Sequence, residues 1–117
     1  MKTLAYFWRM KILVKRTILY YIKKYPMAEN QLLIWYSEFS GHEFKNFNEL
    51  KKVYRNASIV NNSRIVFNIK GNDFRLVVSI NFMQAACYVI WFGNHNEYDK
   101  INVETIAFNT VILTEKK

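Results

Sequence analysis

The chain has 117 residues, 51% of them apolar and 22% charged, which suits one packed domain over residues 1–117 and not a disordered segment. Seventeen Lys and Arg against nine Asp and Glu leave a net charge of +8 and a pI near 9.6, so a polyanion such as RNA, DNA or an acidic protein is the expected partner. One cysteine, Cys87, excludes a disulfide framework, and no apolar run reaches the roughly 18 residues of a membrane span, which together fit a cytoplasmic protein with no membrane partner.

Residues 1–9 are apolar and aromatic with little pattern. They read as an extension or as a mis-assigned start, because Met10 opens a stretch that looks like a natural beginning. Arg9 and Lys11 cut the run below signal-peptide length. Met10 to Lys15 reads as a short strand. Thr17 is the expected N-cap of a first helix, with Ile18, Ile22 and Tyr25 at helical spacing and Lys23 and Lys24 in the last turn. Pro26 ends it. A second helix follows from about Ala28 to Phe39, with Ala28, Leu32, Trp35, Tyr36 and Phe39 as its apolar stripe and Gly41 as its stop. Residues 42–47 read as a loop, Asn48 as the cap of a short helix from Glu49 to Tyr54, and residues 55–62 as a polar, turn-rich connection.

The next two runs, Ser63 to Lys70 and Asp73 to Asn81, alternate with the period of half-buried strands. A two-residue loop, Gly71-Asn72, joins them as a hairpin. That loop sets Lys70 opposite Asp73, Asn68 opposite Arg75, Val66 opposite Val77 and Arg64 opposite Ser79. One side then carries Ile65, Phe67, Ile69, Phe74, Leu76, Val78 and Ile80 and is core. The other gathers Arg64, Asn68, Lys70 and Arg75 around two valines. A third apolar run, Ala86 to Phe92, holds Cys87 as a small core side chain and leads into a loop from Gly93 to Lys100. Ile101 to Leu113 is expected to hold a helical turn and then an edge strand, before a solvated tail from Thr114. The order predicts an α+β domain: an antiparallel-rich sheet, a helical hairpin on its apolar face, and an open basic face.

The two histidines lie far apart in sequence and one cysteine makes no zinc set, so neither a metal nor another cofactor is expected. What remains is a basic cluster. Lys70, Arg75 and Arg64 project from the open side with Asn68, and the third strand delivers His95, Tyr98, Asp99 and Lys100. Such a set suits RNA cleavage by the ribose 2′-OH, which needs a base, an acid for the leaving oxygen, and cations for the phosphorane. His95 leads as the proton-transfer group, with Tyr98, Asp99 and Lys70 able to share that work, and arginines grip phosphate bidentately. Plainer readings stand beside these: His95 as a turn residue, Tyr98 as core, Asp99 paired with Lys100 or Arg55, and Lys70 in a cross-strand ion pair with Asp73.

Arg55-Asn56-Ala57-Ser58, the hairpin from Asn62 to Val77, and Phe92-Gly93-Asn94-His95-Asn96-Glu97-Tyr98-Asp99-Lys100-Ile101 together resemble the HigB-type toxins of bacterial toxin–antitoxin pairs. The last segment looks like that family's G-T-H-x-E-Y-D-K-I, with Asn94 in place of Thr. The resemblance takes in the helical hairpin with Trp35-Tyr36 and covers about Met10 to Ile106. It implies a RelE/ParE-like fold and an mRNA endonuclease acting on translating ribosomes. It also implies a HigA-type helix-turn-helix antitoxin, through which alone DNA would be contacted. On this reading His95, Tyr98, Asp99, Lys70 and Arg75 are the catalytic candidates, and Arg55, Arg64, Asn68 and Lys100 the RNA contacts. Two other readings share the same basic face: a non-catalytic RNA or ribosome binder, and a ParE-like gyrase poison.

Overall fold

A computed structural model describes residues 11–12 and 15–114. The extension or alternative start at residues 1–9, and the tail at 115–117, lie outside the described residues. The chain runs β1 (Lys11–Ile12), α1 (Lys15–Lys24), a 3-10 turn (Pro26–Ala28), α2 (Glu29–Ser40), α3 (Phe47–Val53), β2 (Ser58–Ile59), β3 (Arg64–Ile69), β4 (Phe74–Asn81), β5 (Ala86–Asn94), α4 (His95–Tyr98) and α5 (Val111–Thr114). The class is α+β. Ile18 and Tyr21 of α1 and Leu32, Trp35 and Phe39 of α2 share one core with the apolar face of the sheet.

Proline's ring crowds the residue before it, and Tyr25 accordingly leaves the helical region (φ −127°, ψ 72°). Its N–H still closes α1 onto Tyr21 O (2.8 Å), and its carbonyl accepts from Ala28 N–H (3.0 Å). Thr17 is not the N-cap the sequence suggests. The helix already begins at Lys15, and Thr17 is fully buried beside Ile18 on the inward stripe, its hydroxyl without a partner among the described residues. Asn46, not Asn48, caps α3. Its Oδ1 accepts from Glu49 N–H (3.0 Å), while Glu49 Oε1 accepts from Lys45 N–H (2.9 Å). A capping side chain needs a donor about three residues on, and Glu49 stands there for Asn46.

The five described strands lie in the order β1-β5-β4-β3-β2, with β1 parallel to β5 and every other pair antiparallel. β2 arises inside the stretch that reads as a polar connection; Ser58 and Ile59 pair with Val66 and Ile65. The β3–β4 register is the predicted one, with Arg64 opposite Ser79, Val66 opposite Val77 and Asn68 opposite Arg75. Ile65, Phe67, Ile69, Phe74, Leu76, Val78 and Ile80 are all buried, as the alternation requires. A bulge between Val77 and Val78 leaves Ile90 unpaired in β5 and places Trp91 opposite Val77.

Three expectations about the second face and the tail are corrected. Lys70 does not follow the strand alternation. It has φ 57°, with Gly71 at φ 64°, and this left-handed step turns its side chain away from the face that carries Asn68 and Arg75. The second face is not open along its length, because Val66 and Val77 are 3% and 0% exposed at its centre. Valines there need cover, and the segment after α4 comes against this face where Arg64 Nη1 donates to Val103 O (2.9 Å). The basic, accessible part is confined to the end with Asn68 and Arg75. Among the described residues, the stretch from 101 to 113 forms no edge strand. β1 already occupies the β5 edge, and that stretch instead buries Ile112 in the core, with α5 packed on α1. No described helix is long and apolar enough to cross a membrane.

Candidate active site at the hairpin tip and α4

Phe74 pairs with Asn94 at the end of the β4–β5 ladder, so the hairpin tip and α4 are neighbours through two strands. The pattern Asn94-x-x-Glu97 then starts a helical turn as a reciprocal cap. Asn94 Oδ1 accepts from Glu97 N–H (2.8 Å), and Glu97 Oε1 accepts from Asn94 N–H (2.9 Å). His95 N–H donates to Asp73 O (3.0 Å), which pins the turn to the hairpin. The Tyr25 hydroxyl donates to Glu97 Oε1 (2.6 Å), tying α4 to the end of α1. Gly93 makes room for this arrangement. A Cβ there would stand 2.6 Å from Trp91 Cη2 and 2.9 Å from Glu97 Oε1.

Burial alone would raise the Glu97 carboxyl. The Tyr25 hydroxyl, the Asn94 N–H and the nearby Lys24 and Lys100 ammonium groups outweigh it and hold the carboxyl below its ordinary value. The Tyr25 phenol is pushed well up, by burial first and then by its bond to Glu97.

The Arg75 guanidinium carbon lies 6.0 Å from the centre of the Tyr98 ring, and Trp91 packs against the same ring at 6.2 Å. Arg75 Nη1 donates to Asn72 O (2.9 Å) and Phe74 O (3.1 Å), so the cation is held in place by the hairpin backbone. Burial raises the Tyr98 pKa; Arg75 opposes that and Asp99 adds to it. The phenol is therefore a protonated donor at neutral pH. A shallow cleft at the same end collects His95, Lys70, Asp73 and Asn96 of the tip with Lys24 of α1. Lys70 Nζ is 3.7 Å from Asp73 Oδ2, an exposed pair of little energetic weight.

The residues singled out from sequence thus divide. His95, Tyr98, Asp99, Lys70 and Arg75 gather at this end, with Asn68 opposite Arg75 and Lys100 just past α4. Arg64 does not join them. It stands opposite Ser79, roughly 13 Å along the strand from Asn68 at about 3.3 Å per residue, and is engaged by Val103. Arg55 borders a separate cleft with Asn56 and Asn68 at the β3 edge. Sequence reasoning missed Trp91, Glu97, Lys24 and Tyr25. The Asn94–Glu97 cap was legible as a motif; the 72-residue step from Tyr25 to Glu97 carries no local signal.

Residues 28–101 match the family model described as HigB_toxin, the RelE-like toxic component of a toxin–antitoxin system. The mRNA interferase toxin HigB of Escherichia coli (strain K12) is 29% identical over 79 residues, covering 66% of this chain and 76% of the relative. The mRNA interferase HigB of Shigella flexneri aligns to the same extent. The mRNA interferase HigB of Escherichia coli O6:H1 is 28% identical over 81 residues, 68% of this chain and 79% of the relative. The matched span takes in the hairpin tip and α4 whole.

Proposed function

This chain belongs to the HigB toxin family, the RelE-like toxic component of toxin–antitoxin systems, and on that premise we propose that it is an endoribonuclease that cleaves mRNA at the hairpin tip and α4. The observation that carries the reading is the Arg75 guanidinium held over the Tyr98 ring, one helical turn from His95. The relatives' name, mRNA interferase, supports the substrate class.

The reaction follows from the groups present. The ribose 2′-OH attacks the adjacent phosphorus as His95 takes its proton. The bond to the 5′-oxygen breaks as Tyr98 supplies a proton to that oxygen, leaving a 2′,3′-cyclic phosphate and a 5′-hydroxyl. Arg75 neutralises the charge that develops on the phosphorane and needs little reorganisation because Asn72 and Phe74 already hold it, while Lys70, carried by its left-handed turn to the cleft with His95, grips the RNA strand there. Burial first, and Asp99 after it, favour the protonated Tyr98 phenol against the opposing Arg75. No metal takes part. Asn68, Lys100 and Arg55 contact flanking RNA, and Arg64 supports the fold and the far end of the strand. The substrate is mRNA extended on a translating ribosome in the cytoplasm, and a HigA-type helix-turn-helix antitoxin silences the enzyme.

The test is cleavage of a reporter mRNA by the purified chain in EDTA, with ribosomes present and absent. Products ending in 2′,3′-cyclic phosphate are expected. A strict requirement for magnesium overturns the mechanism. Growth arrest with intact transcripts would make the chain an RNA or ribosome binder, and arrest with double-strand DNA breaks a gyrase poison.

A further inference from the structure

The outer edge of β3 is paired only at its start. β2 ends its ladder at Ser58 opposite Val66, and the chain before it turns away through residues 55–56. Backbone direction along β3 can be read from two bonds. Arg64 O accepts from Val60 N–H (2.9 Å) on the β2 side, and Ser63 O accepts from Ile80 N–H (2.7 Å) on the β4 side. Successive residues of an antiparallel strand alternate between its two edges. The Asn68 N–H and C=O therefore point outward, past the end of β2, where no described strand receives them.

A groove follows this edge. One wall is α2, with Ile34 (54% exposed), Trp35 and Glu38; the other is Tyr54, with Phe67 to Lys70 along the floor. It continues past Tyr54 to Arg55. Two donors in its lining lack a partner among the described residues: the indole N–H of Trp35, which is 4% exposed, and the hydroxyl of Tyr54. The Tyr54 phenol is pushed up to about 12, by burial first and then by Glu38, so it remains a donor. Buried donors of this kind cost stability until an acceptor meets them.

We propose that an extended, acidic segment of the antitoxin adds as a short strand to the β3 edge at Phe67–Ile69 and lays side chains into the groove between α2 and Tyr54. This deepens the toxin reading and rests on it, since the antitoxin is the partner which that reading supplies. An extended peptide fits because the edge offers a backbone donor and acceptor at strand spacing, which RNA does not match. Acidity fits because cations stand at both ends, Arg55 at one and Lys70 at the other, and the chain as a whole is +8. Glu38 on the wall places the partner's carboxylates at those ends. A carboxylate or amide oxygen reaching inward supplies the acceptor that Trp35 and Tyr54 lack.

The experiment co-expresses the full chain with the product of the adjacent reading frame and measures Kd and amide exchange in the complex. Asn68→Pro removes the outward N–H and spares the bonds to β4, since proline is tolerated where a strand's N–H faces outward. Ile34→Glu changes an exposed helical position and sets a charge against the acidic segment. Each is expected to weaken binding at least tenfold, while Met83→Glu on the β4–β5 turn (99% exposed) leaves Kd unchanged. Exchange at Asn68 and at the Trp35 indole N–H should slow at least tenfold in the wild-type complex. Unchanged Kd in both variants, or protection confined to Arg75 and Tyr98, overturns the proposal. A dimer of the chain alone that Asn68→Pro dissociates overturns it in favour of a second copy. The toxin reading fails separately, if induced wild-type chain neither cleaves mRNA nor arrests growth.

Discussion

Tyr25→Phe is the sharpest single test of how the site is held. The substitution deletes one hydroxyl and keeps the ring, whose edge packs on Phe74 (5.4 Å between centroids) and Phe92 (5.7 Å). What is lost is a 2.6 Å bond to the Glu97 carboxylate. A hydrogen bond to a charged acceptor contributes roughly 1.5–3 kcal/mol, and the lower end applies here because the pair is only partly buried. We expect a loss of about 1.5 kcal/mol in urea unfolding, a fall in Tm of roughly 6 °C for a domain of this size. The same loss frees α4 to move, and displacement of reacting groups by about 1 Å can cost as much as 100-fold, so kcat for cleavage should fall about tenfold with KM little changed. The effect has a pH signature. The folded Glu97 pKa lies below its unfolded value, ordinarily about 4.3, so its contribution is complete above that value and lost as pH falls through the folded pKa. Wild-type stability should therefore decline more steeply in that acid window than that of Glu97→Gln. Wild-type stability and kcat in Tyr25→Phe would refute the claim that α1 positions α4.

Arg75→Ala should lower kcat/KM for mRNA cleavage by 10²–10³, about 2.7–4 kcal/mol of transition-state stabilisation, if the guanidinium meets the developing charge; wild-type cleavage would remove it from the site. Lys70→Gly separates function from stability. A left-handed non-glycine residue costs roughly 1–2 kcal/mol, partly offset by glycine's entropy, so unfolding free energy should hold or rise by up to about 1 kcal/mol while cleavage falls. Gly93→Ala drives a methyl into Trp91 and against the Glu97 carboxylate, and should cost about 1–3 kcal/mol in denaturant unfolding and blue-shift or broaden the tryptophan emission.

Much of the sheet was legible because strand side chains alternate by backbone geometry alone. A short loop with glycine between two alternating runs was enough to set the β3–β4 register and the buried set from Ile65 to Ile80. Alternation holds only while φ is negative. It failed at Lys70, where a left-handed turn residue carries the cation to the helix side, beside His95 and Lys24. It also says nothing of what lies above a face. Val66 and Val77 read as an apolar centre in an open patch, yet they are buried, and the segment after α4 reaches this face where Val103 O accepts from Arg64, 39 residues earlier. Contacts of that range leave no periodic trace.

The candidate site shows the same division. Its candidate groups come from two short segments, 70–75 and 94–100, brought together by the pairing of Phe74 with Asn94. Both segments are locally patterned, so cations, imidazole and phenol could be placed near one another from sequence. The groups that hold them still are of another kind. Tyr25 reaches Glu97 from α1, and Gly93 keeps Trp91 and Glu97 close by having no side chain. Because Glu97 Oε1 takes both the Tyr25 O–H and the Asn94 N–H, removing that carboxylate should undo the cap and the tie to α1 at once. Glu97→Ala therefore ought to reduce cleavage more than Tyr25→Phe does, although Glu97 supplies no proton to the reaction.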